Sequence, residues 1–209
     1  ALPLTSGTQV VQEIETAAAN IAAAGTLPIF LGGDHAITYP LIKGLHRSYP
    51  DLNILHFDAH PDLYDEIHGD RFSHGCPMAR IMEEKLATRL VSVGIRTMTP
   101  HQRSQADRFG VEIVDMISLV STPPLIFEGP LYVSLDLDVL DPAFAPGISH
   151  HEPGGMTTRE LIRVIQNVQG AVVGADIVEY NPYRDIQNMT AMVAAKLMKE
   201  LAAKMLSQP

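Results

Sequence analysis

A repeated switch between two residue periods constrains this chain more than any other feature. Val10, Val11, Ile14, Ala17, Ala18 and Ile21 recur at helical spacing on one face. Residues 27–31 then form a short apolar run that ends in Gly32-Gly33 and reads as a buried strand. The alternation continues with a helix over 37–46, strands over 52–57 and 90–95, and a helix over 102–109. Further strands are expected at 111–114, 131–137 and 171–178. Thr157 with Glu160 reads as a capped helix start, and Val193, Leu197, Leu201 and Met205 mark a long amphipathic helix over 190–206. Strands that alternate with helices need crossover connections and give parallel pairing. Uninterrupted apolar strands imply a sheet covered on both faces. The expected fold is therefore α/β, a three-layer α/β/α arrangement around a mostly parallel central sheet, with residues 1–209 as a single domain. The Pro-rich stretches 121–124 and 141–153 read as loops.

In such sheets, function gathers at the carboxyl ends of the strands. Four strands here end in ligand-type residues. The first is followed by Asp34-His35, the second by Asp58-Ala59-His60-Pro61-Asp62, the fifth by Asp136-Leu137-Asp138, and the last by Glu179. Side chains two apart on an extended chain share a face, so Asp58, His60 and Asp62 point one way if the strand continues, as do Asp136 and Asp138. Burying so many carboxylates together is prohibitive unless cations neutralise them. A set rich in oxygen with a few imidazoles suits manganese or a similar divalent ion better than structural zinc. Each part has a plainer alternative. Asp-x-Asp is often a turn, Asp34 can cap the next helix, and His35 can be a satisfied loop histidine. His56, inside a strand, reads as core or as support for a ligand. Cys76, two residues from His74, invites a Cys–His nucleophile, but a small buried thiol is the commoner outcome.

Composition narrows the partners. The 209 residues carry a net charge of -9, which argues against a nucleic-acid-binding face. No apolar run is long enough to span a membrane. The opening ALPLTSGT lacks the basic-then-apolar pattern of a signal peptide, and a cleaved transit peptide would leave no trace. The single cysteine excludes an intrachain disulfide framework and suits a reducing compartment.

Three stretches resemble the signatures of the arginase/agmatinase (ureohydrolase) family: Gly32-Gly33-Asp34-His35-Ala36-Ile37-Thr38, Phe57-Asp58-Ala59-His60-Pro61-Asp62, and Ser134-Leu135-Asp136-Leu137-Asp138-Val139-Leu140-Asp141-Pro142. Within that family the chain is most similar to plant-type arginases, through Asp62-Leu63-Tyr64-Asp65, Ser73-His74, residues 79–83, 141–147 and 189–197. The resemblance implies an arginase-like fold and a pair of manganese ions. His35, Asp58, Asp62 and Asp136 would hold one, His60, Asp58, Asp136 and Asp138 the other, with Asp58 and Asp136 as bridges. A metal-bridging hydroxide, oriented by Asp62, would attack the guanidinium carbon of arginine and give ornithine and urea. Glu179 would pair with the guanidinium, and His74 would relay a proton to the leaving amine. His150 and His151 read equally as residues at the substrate mouth or as plain loop residues.

The resemblance further implies a small guanidino substrate, a homo-oligomer of three or six chains, and a cytoplasmic location, or a mitochondrial one in a plant. Agmatine or another guanidino compound is the alternative substrate. A metal-binding homologue without turnover is a further alternative, which six retained ligands argue against. A zinc amidohydrolase of the related deacetylase fold has no use for the second His/Asp set. Two departures stand out. The family's N-terminal region ahead of Thr8, with an early strand and helix, has no counterpart, which would leave a sheet edge bare. Gly75-Cys76-Pro77 is nearer to agmatinase-type sequences. Asp62-Leu63-Tyr64-Asp65-Glu66 also lacks the Asn and Ser/Thr residues with which animal-type arginases read the α-amino acid end.

Overall fold

The computed structural model describes residues 7–207. The opening ALPLTS, expected to carry no signal peptide, lies outside them. Six strands form one sheet: β1 (Ile29–Leu31), β2 (Asn53–Phe57), β3 (Arg89–Ile95), β4 (Glu112–Asp115), β5 (Ile126–Asp136) and β6 (Gln169–Val178). Their spatial order is β1-β6-β5-β2-β3-β4, and every neighbouring pair is parallel. All carboxyl ends therefore lie on one side. The sheet is more uniform than "mostly parallel". The reason is that each described connection between sequential strands is long enough to cross over and return in the same direction.

Helices cover both faces. The α1 (Gly7–Ala23), α2 (Thr38–His46) and α3 (Pro77–Glu83) helices lie on one side, with α4 (Pro100–Phe109). Ala18, Ile42, Leu45, Met78, Ile81 and Ala106 pack there against Ile54, Leu90 and Tyr132. On the other face, α5 (Thr158–Asn167) and α6 (Met189–Leu206) bring Leu161, Ile165, Leu197 and Leu201 against Leu55, Phe57, Val133 and Leu135. Alternate residues of β2 and β5 thus feed two cores, as period-two geometry requires. Both α4 and α5 open with the expected chemistry. Thr99 and Thr157 each accept from the third residue of the helix, whose Gln102 or Glu160 side chain answers back.

Two elements depart from expectation. The seven-residue α3 is too short to show a period, and Pro77 in its first turn announces it only weakly. The β5 strand starts at Ile126, ahead of the expected 131, because Gly129, at φ 84, lets the chain bulge past Pro130 before pairing resumes. At the sheet edge, β1 is three residues long and Leu31 is 69% exposed.

Candidate metal centre

The carboxyl ends of β1, β2, β5 and β6 converge, but not through extended chain. His35 opens a single turn of 3-10 helix, set by the Asp34 side chain, which accepts from the Ala36 N–H at 3.2 Å. Beyond β2 the strand stops at Phe57. The Asp58 N–H still reaches the Val93 carbonyl at 3.1 Å, after which the chain turns, and Asp62 adopts a left-handed backbone at φ 49. Asp138 likewise sits in a 3-10 turn, not on the strand. The expectation that Asp58, His60 and Asp62 share the face of a strand is therefore corrected. So is the same expectation for Asp136 and Asp138. The cause is local. Asp58 Oδ1 accepts from the His60 N–H at 2.6 Å and Asp136 Oδ1 from the Asp138 N–H at 2.8 Å, so each acid closes its own turn.

These turns still bring the six side chains together. His35 Nδ1 lies 2.9 Å from Asp62 Oδ2 and 3.3 Å from both Asp58 Oδ2 and Asp136 Oδ2. His60 Nδ1 lies 3.3 Å from Asp58 Oδ1 and 3.1 Å from Asp138 Oδ2. Asp58 thus turns one oxygen to each imidazole, the position a bridging ligand needs. Asp136 faces the His35 side, and its other oxygen is engaged by backbone.

The electrostatics are those of a cluster short of positive charge. Burial and the Asp58 charge push Asp62 up to about 7, and burial and Asp58 push Asp138 up to about 6. Burial, with Asp138 and Asp58 beside it, holds Asp136 well above the carboxylate range. Burial works against the Asp58 charge too, but contacts from His35, His56 and His60 outweigh it and hold its pKa well below the usual value. Burial also disfavours a charged His60, yet Asp138 and Asp58 raise it to about 12.

One atom tests whether a metal fits. His35 Nδ1 is buried and faces three carboxylates, yet it makes no hydrogen bond, because the contacts are close but badly aligned. That is the disposition of a ligand atom. Two overlapping groups have metal-holding spacing: Asp58, His60 and Asp138, and a set that pairs His35 and Asp58 with His56. His56 does not belong among the ligands. Its Nε2 is 2.8 Å from Asp58 Oδ2 and its Nδ1 is 3.1 Å from Ser92 Oγ, so both nitrogens are satisfied. Burial lowers its pKa, which agrees with a neutral ring that supports Asp58 from beneath.

Residues 1–203 match the arginase family. The chain belongs to the arginase family. The mitochondrial arginase of Medicago truncatula is 49% identical over 187 residues, 85% of this chain and 55% of that protein. The guanidinopropionase of Pseudomonas aeruginosa is 40% identical over 196 residues, 87% of this chain and 61% of that protein. The solved arginase from Medicago truncatula superposes with a TM-score of 0.92 at 45% identity, covering 96% of this chain and 66% of that one. This arginase-family chain spans about half the length of the plant relative.

The remaining expected residues divide around the centre. Glu179 follows β6 at φ 66 and accepts from the His35 N–H at 3.0 Å, so it lies against the His35 turn. The His150 ring stacks on His74 at 5.3 Å and meets His60 edge-on at 6.1 Å. His74, His150 and His60 thus form a continuous ring path from the loops to the cluster. His151 stays outside it. It is exposed, and its Nε2 contacts the Pro146 carbonyl at 3.0 Å. Cys76 is fully buried and burial pushes its thiol up to about 11, the opposite of an activated nucleophile.

Two residues of the site went unread in the sequence. Arg96 donates to the backbone carbonyls of Asp138 (2.6 Å), Glu152 (2.8 Å), Gly94 and Val139 (each 3.2 Å), fastening the Asp138 turn to the loop that carries Glu152. Glu152 itself comes within 3.8 Å of His60 Nε2. Arg96 is reached through a bulge in β3 at Gly94, whose φ is 98. A Cβ there would lie 2.5 Å from Val139 and 3.0 Å from the Asp58 carbonyl oxygen. A glycine inside an apolar strand is the signal that could have pointed to it.

Proposed function

We propose that this chain is a manganese-dependent ureohydrolase that cleaves the guanidinium group of arginine to ornithine and urea. The observation that carries the proposal is the placement of Asp58 between two imidazoles, with His35 Nδ1 aimed into the carboxylates and free of hydrogen bonds. His35, Asp58, Asp62 and Asp136 would hold one ion, and His60, Asp58, Asp136 and Asp138 the other. Bound there, a manganese pair lowers the pKa of water and supplies hydroxide at neutral pH. The protein's share of the work is orientation and proton transfer. Glu179 offers a carboxylate for the planar guanidinium fork. His74 carries a proton to the leaving nitrogen. His150, stacked on His74, lines the approach.

Guanidino acids and agmatine form the second reading. It is favoured by the guanidinopropionase relative and by Asp62-Leu63-Tyr64-Asp65-Glu66, which lacks the animal-type residues that read an α-amino acid. Urea release from the manganese-reconstituted chain, measured on arginine, agmatine and 3-guanidinopropionate, decides between them. Urea from none of the three would refute hydrolysis altogether. Family resemblance also supports a homo-oligomer of three or six chains, which sedimentation equilibrium would detect as a multiple of the 22.8 kDa chain mass. A mass of one chain at all concentrations would exclude it. Among the described residues no helix is long and apolar enough to cross a membrane, and the Medicago relative is mitochondrial. The location of that relative supports a mitochondrial site of action, with the cytoplasm as the alternative, which fractionation of the source cells would test.

A further inference from the structure

Beneath the carboxylate cluster lies a second polar layer. Ser92, His56, Ser134 and Asp176 sit on four adjacent strands, β3, β2, β5 and β6. They are in register with one another: His56 pairs with Ser92 and with Ser134, and Ser134 pairs with Asp176. All four are completely buried, in a sheet whose neighbouring positions are apolar. They form one polar row across the sheet, on the face that α2 covers.

Asp176 closes one end of that row. Its Oδ2 accepts from Thr38 Oγ1 and from the Tyr132 hydroxyl, each at 2.9 Å, and its Oδ1 accepts from Ser134 Oγ at 2.8 Å. No cation pairs with it among the described contacts. Burial next to Asp176 holds the Tyr132 hydroxyl well above its ordinary pKa, so it remains a donor. Ser134 has one hydroxyl proton, and Asp176 takes it. Ser134 Oγ is also 2.9 Å from His35 Nε2, so at that contact it can only accept. His35 Nε2 must therefore carry a proton, so in the neutral ring that metal ligation requires the lone pair falls on Nδ1, the atom aimed at Asp58, Asp62 and Asp136.

We infer that Asp176, acting through Ser134, is a positioning residue that fixes the His35 tautomer and so presents Nδ1 to the metal centre. The inference rests on the metal reading proposed above. It also explains why Thr38 and Tyr132 are hydroxyl-bearing: they satisfy the remaining acceptor sites of a buried carboxylate, which would otherwise be costly. The effect is specific to one half of the centre, because Asp176 and Ser134 connect to His35 and make no contact with His60.

The test uses the full chain and Mn2+ alone. In Asp176→Asn, the carboxamide nitrogen can donate to Ser134, whose hydroxyl then turns to His35 Nε2 and drives the ring proton onto Nδ1. Titration followed by the electron paramagnetic resonance of free Mn2+ is expected to show one site weakened about 10- to 100-fold, the usual cost of losing such a support, with the other site unchanged. Nitrogen-15 NMR at sub-saturating Zn2+, a diamagnetic ion, should show His35 protonated on Nε2 and bound to zinc through Nδ1 in the wild type, and a larger share of rings with a protonated, unbound Nδ1 in the variant. Ser134→Ala removes the same link without touching Asp176 and should reproduce the one-site loss, which keeps the question open to test if Asp176→Asn fails to fold. Tyr132→Phe removes a donor to Asp176 but leaves the Ser134–His35 contact, and should lower Tm while both sites keep their affinity. Asp176→Asn or Ser134→Ala chains that bind both ions as the wild type does, or weaken both equally, overturn the inference. A wild-type chain that takes up no Mn2+ is a different result, and overturns the metal reading itself.

Discussion

The two halves of the centre are built from different material. The His35 half is laid on the sheet. Its imidazole is buried, Asp176 and Ser134 support it from below, and Glu179 accepts from its backbone N–H. The His60 half is built from loops. The His60 side chain is 22% exposed, and His150, Glu152 and the Arg96-fastened Asp138 turn surround it. Among the described residues only Asp58 reaches both imidazoles. On the proposed reading this contrast becomes a division of labour: the half that rests on the sheet would keep fixed geometry, and the loop-borne half would face the substrate, since binding loops work best on a rigid scaffold.

The sharpest way to break the comparison is to remove what the halves share. Asp58→Ala should strip both ions, and urea release should fall by at least about 10³-fold, because a catalytic metal contributes several kcal/mol and each tenfold is about 1.4 kcal/mol. Metal analysis with a urea assay measures both, and one fully retained ion would show that the halves are independent. Next in size is His74→Asn, which touches only the open side. Its kcat should drop about 10²-fold or more while Mn2+ content stays the same. Unchanged kcat would remove His74 from proton transfer. A smaller loss is expected from Arg96→Met, which leaves several backbone carbonyls unpaired. Stability should fall by about 2 kcal/mol in urea denaturation, with the His60 site loosened more than the His35 site. Equal loosening of both would mean that Arg96 supports the fold as a whole.

Legibility followed the same divide. Strands, helices and their order could be read because apolar runs and helical periods are local. The ligand set could be read because Asp58-Ala59-His60-Pro61-Asp62 and Asp136-Leu137-Asp138 concentrate it in short segments. The conformation of those segments could not, since an aspartate that caps its own turn and an aspartate on a strand look alike in sequence. His56 could be read as core or as support for a ligand, but Ser92, Ser134 and Asp176 were hidden for another reason. Each is a single polar residue in an apolar run, and only the register of four strands, with β2 beside β5, makes them neighbours. Arg96 was hidden because its partners are backbone carbonyls, which carry no sequence signal.

The left-handed backbone at Asp62 narrows what evolution can place there. At φ 49 the main chain tolerates glycine, asparagine or aspartate far better than any branched or bulky residue. Of these three, aspartate alone brings a carboxylate to His35. Conformation and coordination thus screen the same site independently, and the substitutions that survive both screens reduce to the residue already present. Asparagine passes the first and fails the second, so Asp62→Asn alters the charge of the site while leaving the path of its chain intact.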